Sequence, residues 1–336
     1  MRYVSRQPLR LRSGQASAVT SVCVLLCAIA SAQVASAQAF PSKNLQMIVP
    51  YTPGGSADLF SRVLAQKLGE AWGRTVVVEN RPGASGMIGT EIVTKAAADG
   101  HVLLGHTSSY PATASVRKKL PFDPARAIVP VAMIARAPML IAVHPSVPAK
   151  SVKELIAVAK RTPEGLNYGS SGAGGNNHFA SSLFAAAAGI KMTHIPYKGI
   201  SLAVTTLASG EIEVLISSQA ALAPQIQGKR VRILAVTSAR PSPLYPGLPA
   251  AAVGGAPGYS YELWWGIFAP AGLPAERLAF INAAANKILT SDEMKKLLAR
   301  EGAEPWPLDP KQLDGLLVRE IERYRKAAKI AGIEPQ

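Results

Sequence analysis

The sequence predicts an α/β protein in which helices cover parallel strands. Three apolar runs, LQMIVPY, TVVVEN and HVLLGHTSS, are separated by two helical patterns within residues 45–109. A strand–helix–strand–helix–strand order of this kind implies a parallel sheet. The length of 336 residues exceeds one small core and indicates two domains or one large α/β domain.

The spacing of apolar residues predicts the first helix and the crossing into a second domain. Leu59, Val63 and Leu64 share one helical face, and Gly69 or Gly73 can end that helix. A second helix is expected in MIGTEIVTKAAADG, from residue 87 to residue 100. The long apolar segment 129–146, broken near its middle by Pro138, is interpreted as a strand pair that crosses into a second domain.

The second half continues the alternation and then becomes helical. Ser151 with Glu154 three residues later is typical of a capping box. VRILAVTSAR, from Val231, is expected to cross back, and residues 259–270 are expected to form a strand pair. Asp309 and Pro310 indicate a helix start. We therefore predict domain 1 from residues 38–138 plus 237–336, and domain 2 from residues 139–236.

The N-terminus has the layout of a secretory signal peptide over residues 1–37. Four arginines without any acidic residue precede an apolar run of about thirteen residues, and Ala35-Ser36-Ala37 offers a cleavage site. A membrane anchor is the alternative, but spanning a bilayer needs roughly 20 residues. Without an Arg-Arg pair, general secretion is favoured over the twin-arginine route.

Composition excludes several classes of function. Both cysteines, Cys23 and Cys27, are removed with the signal peptide, which excludes thiol catalysis and a disulfide framework. No two of the five histidines have a metal-binding helical spacing, and we expect no metal or cofactor. The net charge of +15 is dispersed and not interleaved with aromatic residues, so nucleic-acid binding is not expected. The charge favours anionic solutes, or serves solubility alone.

Polar loops follow the predicted strands, where ligands bind in open α/β sheets. The first, YTPGGSAD, starts at Tyr51 and ends at Asp58, and GSSGAGGNNH, residues 169–178, is the richest in glycine. Each precedes a helix, whose free N–H groups and dipole suit a carboxylate or phosphate. An ordinary capped turn and a flexible loop are the respective alternatives.

Catalytic motifs are missing from the sequence. There is no GxSxG elbow and no HExxH motif. A secreted hydrolase using His178 or Asp58 stays as an alternative, but it would need a nucleophile partner that the sequence does not display. We therefore expect a protein that is not an enzyme.

Four motifs follow one another in the order PGGSAD, ENRPGASG, IPYKG and RILAVTSA. With them, the chain from about residue 39 onward resembles the Bug family of periplasmic solute receptors. These are extracytoplasmic receptors of tripartite tricarboxylate transporters. The resemblance implies a two-domain Venus-flytrap (type II-like periplasmic-binding-protein) fold, each domain a mixed sheet flanked by helices with the ligand cleft between. It also implies a periplasmic location, a small organic acid as ligand and membrane permease subunits as partners. A solute sensor that signals to a membrane partner is the alternative. With no heptad or apolar patch evident, we expect a monomer.

The resemblance also implies which residues face the cleft. From one domain these are Tyr51, Gly54, Gly55, Ser56, Asp58, Thr107 and Ser108; from the other they are Gly172, Gly174, Asn176, His178, Tyr197, Gly199 and Ser217. Ser217 stands where the family often has an acid, which argues against an amino-acid ligand. It is compatible with a dicarboxylate, an aromatic acid or another acid with a neutral far end.

Overall fold

Two mixed sheets form the framework of residues 40–335, the part of the chain that a computed structural model describes. Residues from Lys43 onward belong to one compact unit. The strands are β1 Leu45–Val49, β2 Val76–Asn80, β3 Val102–Thr107, β4 Ile128–Pro138, β5 Leu140–Val143, β6 Leu166–Ser170, β7 Met192–Pro196, β8 Val214–Ser217, β9 Arg232–Val236, β10 Glu262–Pro270 and β11 Glu304–Pro305. The predicted signal peptide lies outside the described residues.

The helices flank these strands, so the predicted α/β class with mixed sheets is confirmed. They are α1 Ser56–Trp72, α2 Met87–Thr94, α3 Ser109–Val116, α4 Val152–Arg161, α5 Asn176–Ala188, α6 Ile200–Ser209, α7 Gln219–Gln227, α8 Ala275–Leu289, α9 Asp292–Arg300, α10 Pro310–Leu313 and α11 Leu316–Ala331. Within residues 40–335 no helix combines the length and apolar character needed to cross a bilayer.

The first sheet has the order β11-β4-β10-β3-β1-β2, and the second has the order β7-β6-β8-β5-β9. In the first, β1 is parallel to β2 and β3, whereas β10 is antiparallel to β3 and β4. In the second, β6 is parallel to β7 and β8, and β5 is antiparallel to β8 and β9. The loops after β1, β3 and β6 therefore lie at carboxyl ends of parallel strands.

The chain passes between the sheets at two adjacent points. It leaves the first sheet at Met139, between β4 and β5, and leaves the second after β9 at Thr237. The N–H of Thr237 donates to the Met139 carbonyl at 2.9 Å, and the N–H of Met139 donates to Thr237 Oγ1 at 2.7 Å. These crossings follow the boundaries of the predicted domains, a division that stays a prediction.

Separate apolar cores lie against the two sheets. Ile48, Leu104 and Phe268 belong to the first core, and Leu140, Val204 and Leu215 belong to the second. Burying each such side chain contributes about 1.5–3 kcal/mol to folding. The terminal helix α11 contacts both α3 and α5, so it packs on segments that belong to both sheets.

Two sequence expectations about elements were wrong. Residues 259–270 contain one strand, β10, because both of its edges pair with neighbours, β3 on one side and β4 on the other. Helix α2 ends at Thr94 rather than at residue 100. The residues beyond it form a turn in which Asp99 Oδ1 accepts from the His101 N–H at 2.9 Å, and Gly100 has φ of +84°.

Candidate functional site

The first glycine loop, residues 50–55, joins β1 to α1 and is fixed by a buried carboxylate. Asp58 Oδ2 accepts the Gly54 N–H at 3.0 Å, and Oδ1 accepts from Arg62 Nε at 3.0 Å and from Asn80 Nδ2 at 2.8 Å. Burial alone would raise the pKa of Asp58, but these hydrogen bonds outweigh it and hold the pKa below its usual value. The carboxylate oxygens therefore hold the loop in place.

Helix α1 begins without a side-chain cap. Its N-cap is Gly55, with φ −83° and ψ 168°, and no side chain accepts from the first-turn N–H groups. The first N–H that returns to the N-cap carbonyl belongs to Leu59, at 2.9 Å. Uncapped first-turn N–H groups with the positive end of a helix dipole suit an anion.

The second glycine loop, residues 171–175, repeats this arrangement between β6 and α5. The N–H of Gly174 donates to His178 Nδ1 at 3.1 Å, and helix α5 starts after Gly175, with φ −83° and ψ 170° and no side-chain cap. Ser170 Oγ accepts the Gly172 N–H at 3.1 Å. Two loops in different sheets thus present helix starts of the same backbone conformation.

A stack of neutral rings supports the second glycine loop. His178 and His194 lie parallel, with ring centroids 3.9 Å apart, and His194 Nε2 lies 2.6 Å from Ser170 Oγ. Burial lowers the pKa of His178 to about 4, with a further contribution from His194. His178 Nδ1 can accept the Gly174 N–H because the ring is neutral at ordinary pH.

The two helix starts meet at a cavity of about 250 Å³. Its lining comes from the first glycine loop, the first residues of α1 and α5, the end of β3 and one face of β10: Tyr51, Thr52, Gly55, Ser56, Ala57, Thr107, Asn176, Leu263 and Trp265. None of these side chains carries a charge. An anion held here would be bound by backbone N–H groups and hydroxyls, with Trp265 and Leu263 as an apolar wall.

Neutral hydrogen-bonded groups line one side of the cavity. Tyr51 Oη lies 2.9 Å from Thr107 Oγ1 and 3.0 Å from His106 Nδ1. Burial raises the pKa of Tyr51 to about 12 and lowers that of His106 to about 3. Both groups are therefore uncharged at neutral pH, and neither repels nor pairs with a bound ion.

The structure brings some predicted site residues together and leaves others apart. The cavity is lined by Tyr51, Gly55, Ser56, Thr107 and Asn176. Six other predicted site residues lie close to the lining, within the two glycine loops, in the first turns of α1 and α5, or next to Thr107. They are Gly54, Asp58, Ser108, Gly172, Gly174 and His178.

Three further predicted site residues lie outside the cavity lining and also outside these loops and helix turns. Tyr197 packs on the second core, and Gly199 is the N-cap of α6. Ser217 ends β8 and is buried. Their place in the site stays a prediction.

Sequence reasoning missed the apolar wall. Leu263 and Trp265 alternate with Trp264 along β10, so they face the opposite side of the sheet from it. Trp264 belongs to the first core and donates from Nε1 to Glu320 Oε2 at 2.9 Å. The period of two over residues 262–270 was the signal that separates the two tryptophans.

The profile of the Tripartite tricarboxylate transporter family receptor matches residues 60–333. The chain belongs to this receptor family. It is 34% identical over 309 residues to Protein BugT of Bordetella pertussis, covering 90% of this chain and 95% of BugT. Among solved structures it is similar to R. palustris Rpa4515 with adipate, at a TM-score of 0.81 and 36% identity over 88% of this chain and 100% of that one. It is also similar to the periplasmic binding protein BugD, at a TM-score of 0.77 and 27% identity over 88% of this chain and 100% of that one.

Family membership confirms the resemblance read from the four motifs. The receptors of this family are periplasmic solute-binding proteins, and the fold described above is that of such proteins.

Proposed function

We propose that this receptor captures a small carboxylate-containing solute in the cavity where α1 and α5 begin. The observation that carries the proposal is the meeting of two uncapped helix N-termini at one cavity. Each supplies unpaired N–H groups and partial positive charge, so two elements converge on one negatively charged group. The adipate of the similar R. palustris protein carries such a group.

The cavity also constrains the kind of acid. At about 250 Å³ it is smaller than pockets that hold drug-sized ligands, which are about 300–1,000 Å³. The lining lacks both a basic side chain and an acid that could pair with an ammonium group. A small acid with an uncharged body next to the carboxylate fits this lining, with that body against Trp265.

The receptor would work outside the cytoplasm with membrane permease subunits. The N-terminal 37 residues have the three parts of a signal peptide, and family receptors serve tripartite transporters. Cleavage after Ala37 would deliver a cysteine-free monomer to the periplasm. Its task there is binding and delivery, with no reaction catalysed.

A thermal-shift screen tests the proposal. The mature protein, stripped of bound solute, is heated with mono-, di- and tricarboxylates, aromatic acids and the primary amides of the same compounds. A ligand present at 100 times its Kd stabilises the folded state by about 2.7 kcal/mol. We expect larger shifts with the acids than with the matched amides at the same concentration. Equal shifts with an acid and its amide, or no shift with any acid, would contradict the proposal.

A further inference from the structure

The side chain of Asn176 joins segments that belong to the two sheets. Asn176 begins α5, which follows β6 of the second sheet. Its Oδ1 accepts from Tyr261 Oη at 2.8 Å and from Ser108 Oγ at 3.3 Å, and its Nδ2 donates to Ser109 Oγ at 3.1 Å. These three partners adjoin β3 and β10 of the first sheet. A primary amide has two lone pairs and two N–H groups, so three of its four sites are occupied by protein partners.

The hydrogen bonds continue on both sides of Asn176. Thr107 Oγ1 donates to Ser109 Oγ at 3.0 Å, which connects the amide to the wall of the cavity. On the other side Tyr261 Oη lies 3.1 Å from Tyr324 Oη on α11. Tyr261 and Tyr324 are buried, and a buried hydroxyl that loses its partner costs about 1–3 kcal/mol. Breaking the network at either tyrosine is therefore costly.

Separation of the two sheets would break these bonds together. Receptors that close around a solute do so by hinge motion, and the crossings at Met139 and Thr237 are the only strand-to-strand links between the sheets in residues 40–335. Opening about these crossings moves α5 away from the turn at Ser108 and Ser109. All three hydrogen bonds of Asn176 span the gap that would open.

We infer that Asn176 is a latch that holds the closed conformation, and that its amide acts on opening and closing of the cavity instead of serving as a primary ligand contact. The inference rests on the proposed function, in which a solute enters between the two sheets. On this side of the cavity the backbone N–H groups at the start of α5 contact the solute. The side chain of Asn176 slows release of the solute by keeping the cavity closed.

The distance between two spin labels, measured in the absence of solute, tests whether Asn176 acts as a latch. After residue 37 the sequence has no cysteine, so spin labels can be attached through Ile92→Cys and Leu202→Cys, at two exposed positions on α2 and α6. We expect Asn176→Ala to lengthen or broaden the inter-label distance distribution. Tyr261→Phe, which keeps the ring and lies outside the cavity lining, should do the same.

A matched control separates the latch from general loss of a hydroxyl. Tyr168→Phe removes the 2.8 Å hydrogen bond between Tyr168 Oη and Ser182 Oγ, which joins β6 to α5 and does not connect the two sheets. It should leave the distance distribution unchanged. If Asn176→Ala and Tyr261→Phe also leave it unchanged, the latch does not exist, and this result stands whether or not any acid binds.

Dissociation kinetics supply a second readout once an acid is found, with adipate as the first probe. Loss of one net hydrogen bond of about 0.5–1.5 kcal/mol corresponds to a roughly 2- to 12-fold faster release. Tyr261→Phe should show this change, and the double variant with Asn176→Ala should release no faster than Asn176→Ala alone. Lost binding in Asn176→Ala with an unaltered Tyr261→Phe variant would make Asn176 a ligand contact and overturn the inference.

Discussion

Asp58 and His178 occupy equivalent positions in the two glycine loops. Each is the third residue of its helix and accepts the N–H of the glycine four residues earlier, Gly54 at 3.0 Å and Gly174 at 3.1 Å. Both glycines have positive φ, +88° and +71°. One loop uses a charged acceptor and the other a neutral imidazole, so the same backbone geometry is held by groups that respond differently to pH.

Asp58 is predicted to stabilise the first glycine loop. Asp58→Ala leaves the N–H groups of Gly54, Arg62 and Asn80 without their shared acceptor, and we expect a loss of about 1–3 kcal/mol in the free energy of unfolding. Denaturant unfolding measures this loss. Asp292→Ala, at a side chain that is 89% exposed, should change stability by about 0.5 kcal/mol or less. Equal effects for the two variants would contradict a structural role for Asp58.

The lowered pKa of His178 predicts that the folded protein loses stability in mild acid. Its pKa is about 4 in the folded protein and 6.5 in the unfolded chain, so the unfolded chain binds more protons between these values. Its contribution to stability is therefore complete above pH 6.5 and is lost as the pH falls toward 4. We expect His178→Gln, which does not titrate, to flatten the unfolding free energy across this range when compared with the native sequence. Parallel pH profiles for the two proteins would show that folding does not lower the pKa of His178.

Gly55 and Gly174 are predicted to differ in what an added methyl group disturbs. A Cβ at Gly55 meets no atom within 4 Å and φ is −83°, so Gly55→Ala should keep stability within about 0.5 kcal/mol while weakening acid binding at the cavity. A Cβ at Gly174 lies 2.8 Å from Val116 Cγ2 at positive φ, so Gly174→Ala should cost stability, about 1–2 kcal/mol from the left-handed backbone alone. Unfolding curves and titrations of both variants measure this. Normal acid binding by Gly55→Ala would remove the first helix start from the site.

Ser56 is predicted to contribute one hydrogen bond to the acid. Ser56→Ala should weaken binding about 2- to 12-fold, the value of 0.5–1.5 kcal/mol, because its hydroxyl lines the cavity. Calorimetric titration with an acid identified in the screen measures the change. Ser209→Ala, at the exposed last residue of α6 and outside the cavity lining, is the control and should bind normally. An unchanged Kd for Ser56→Ala would place the carboxylate away from this hydroxyl.

Local patterns in the sequence predicted the order of elements, the crossing points and the loop that starts the site. Gly-Gly followed by Ser56 or Asn176 marks both helix starts, since glycines ahead of a helix expose its N–H groups. The cavity wall escaped prediction, because the alternation along β10 puts Trp264 and Trp265 on opposite faces without showing which of them faces the cavity. The role of Asn176 also depends on partners up to 85 residues away in the chain, which no local pattern displays.

Calorimetric titration of one matched pair tests the central claim most directly: the acid with the largest thermal shift, and its primary amide, on solute-free protein at fixed salt. Hydrogen bonds to a charged group contribute about 1.5–3 kcal/mol, and two helix N-termini act on the carboxylate. The acid should therefore bind at least about tenfold more tightly than the amide. Equal affinities would show that the two helix starts do not favour a negatively charged group over a neutral one, and the receptor would then bind a neutral solute.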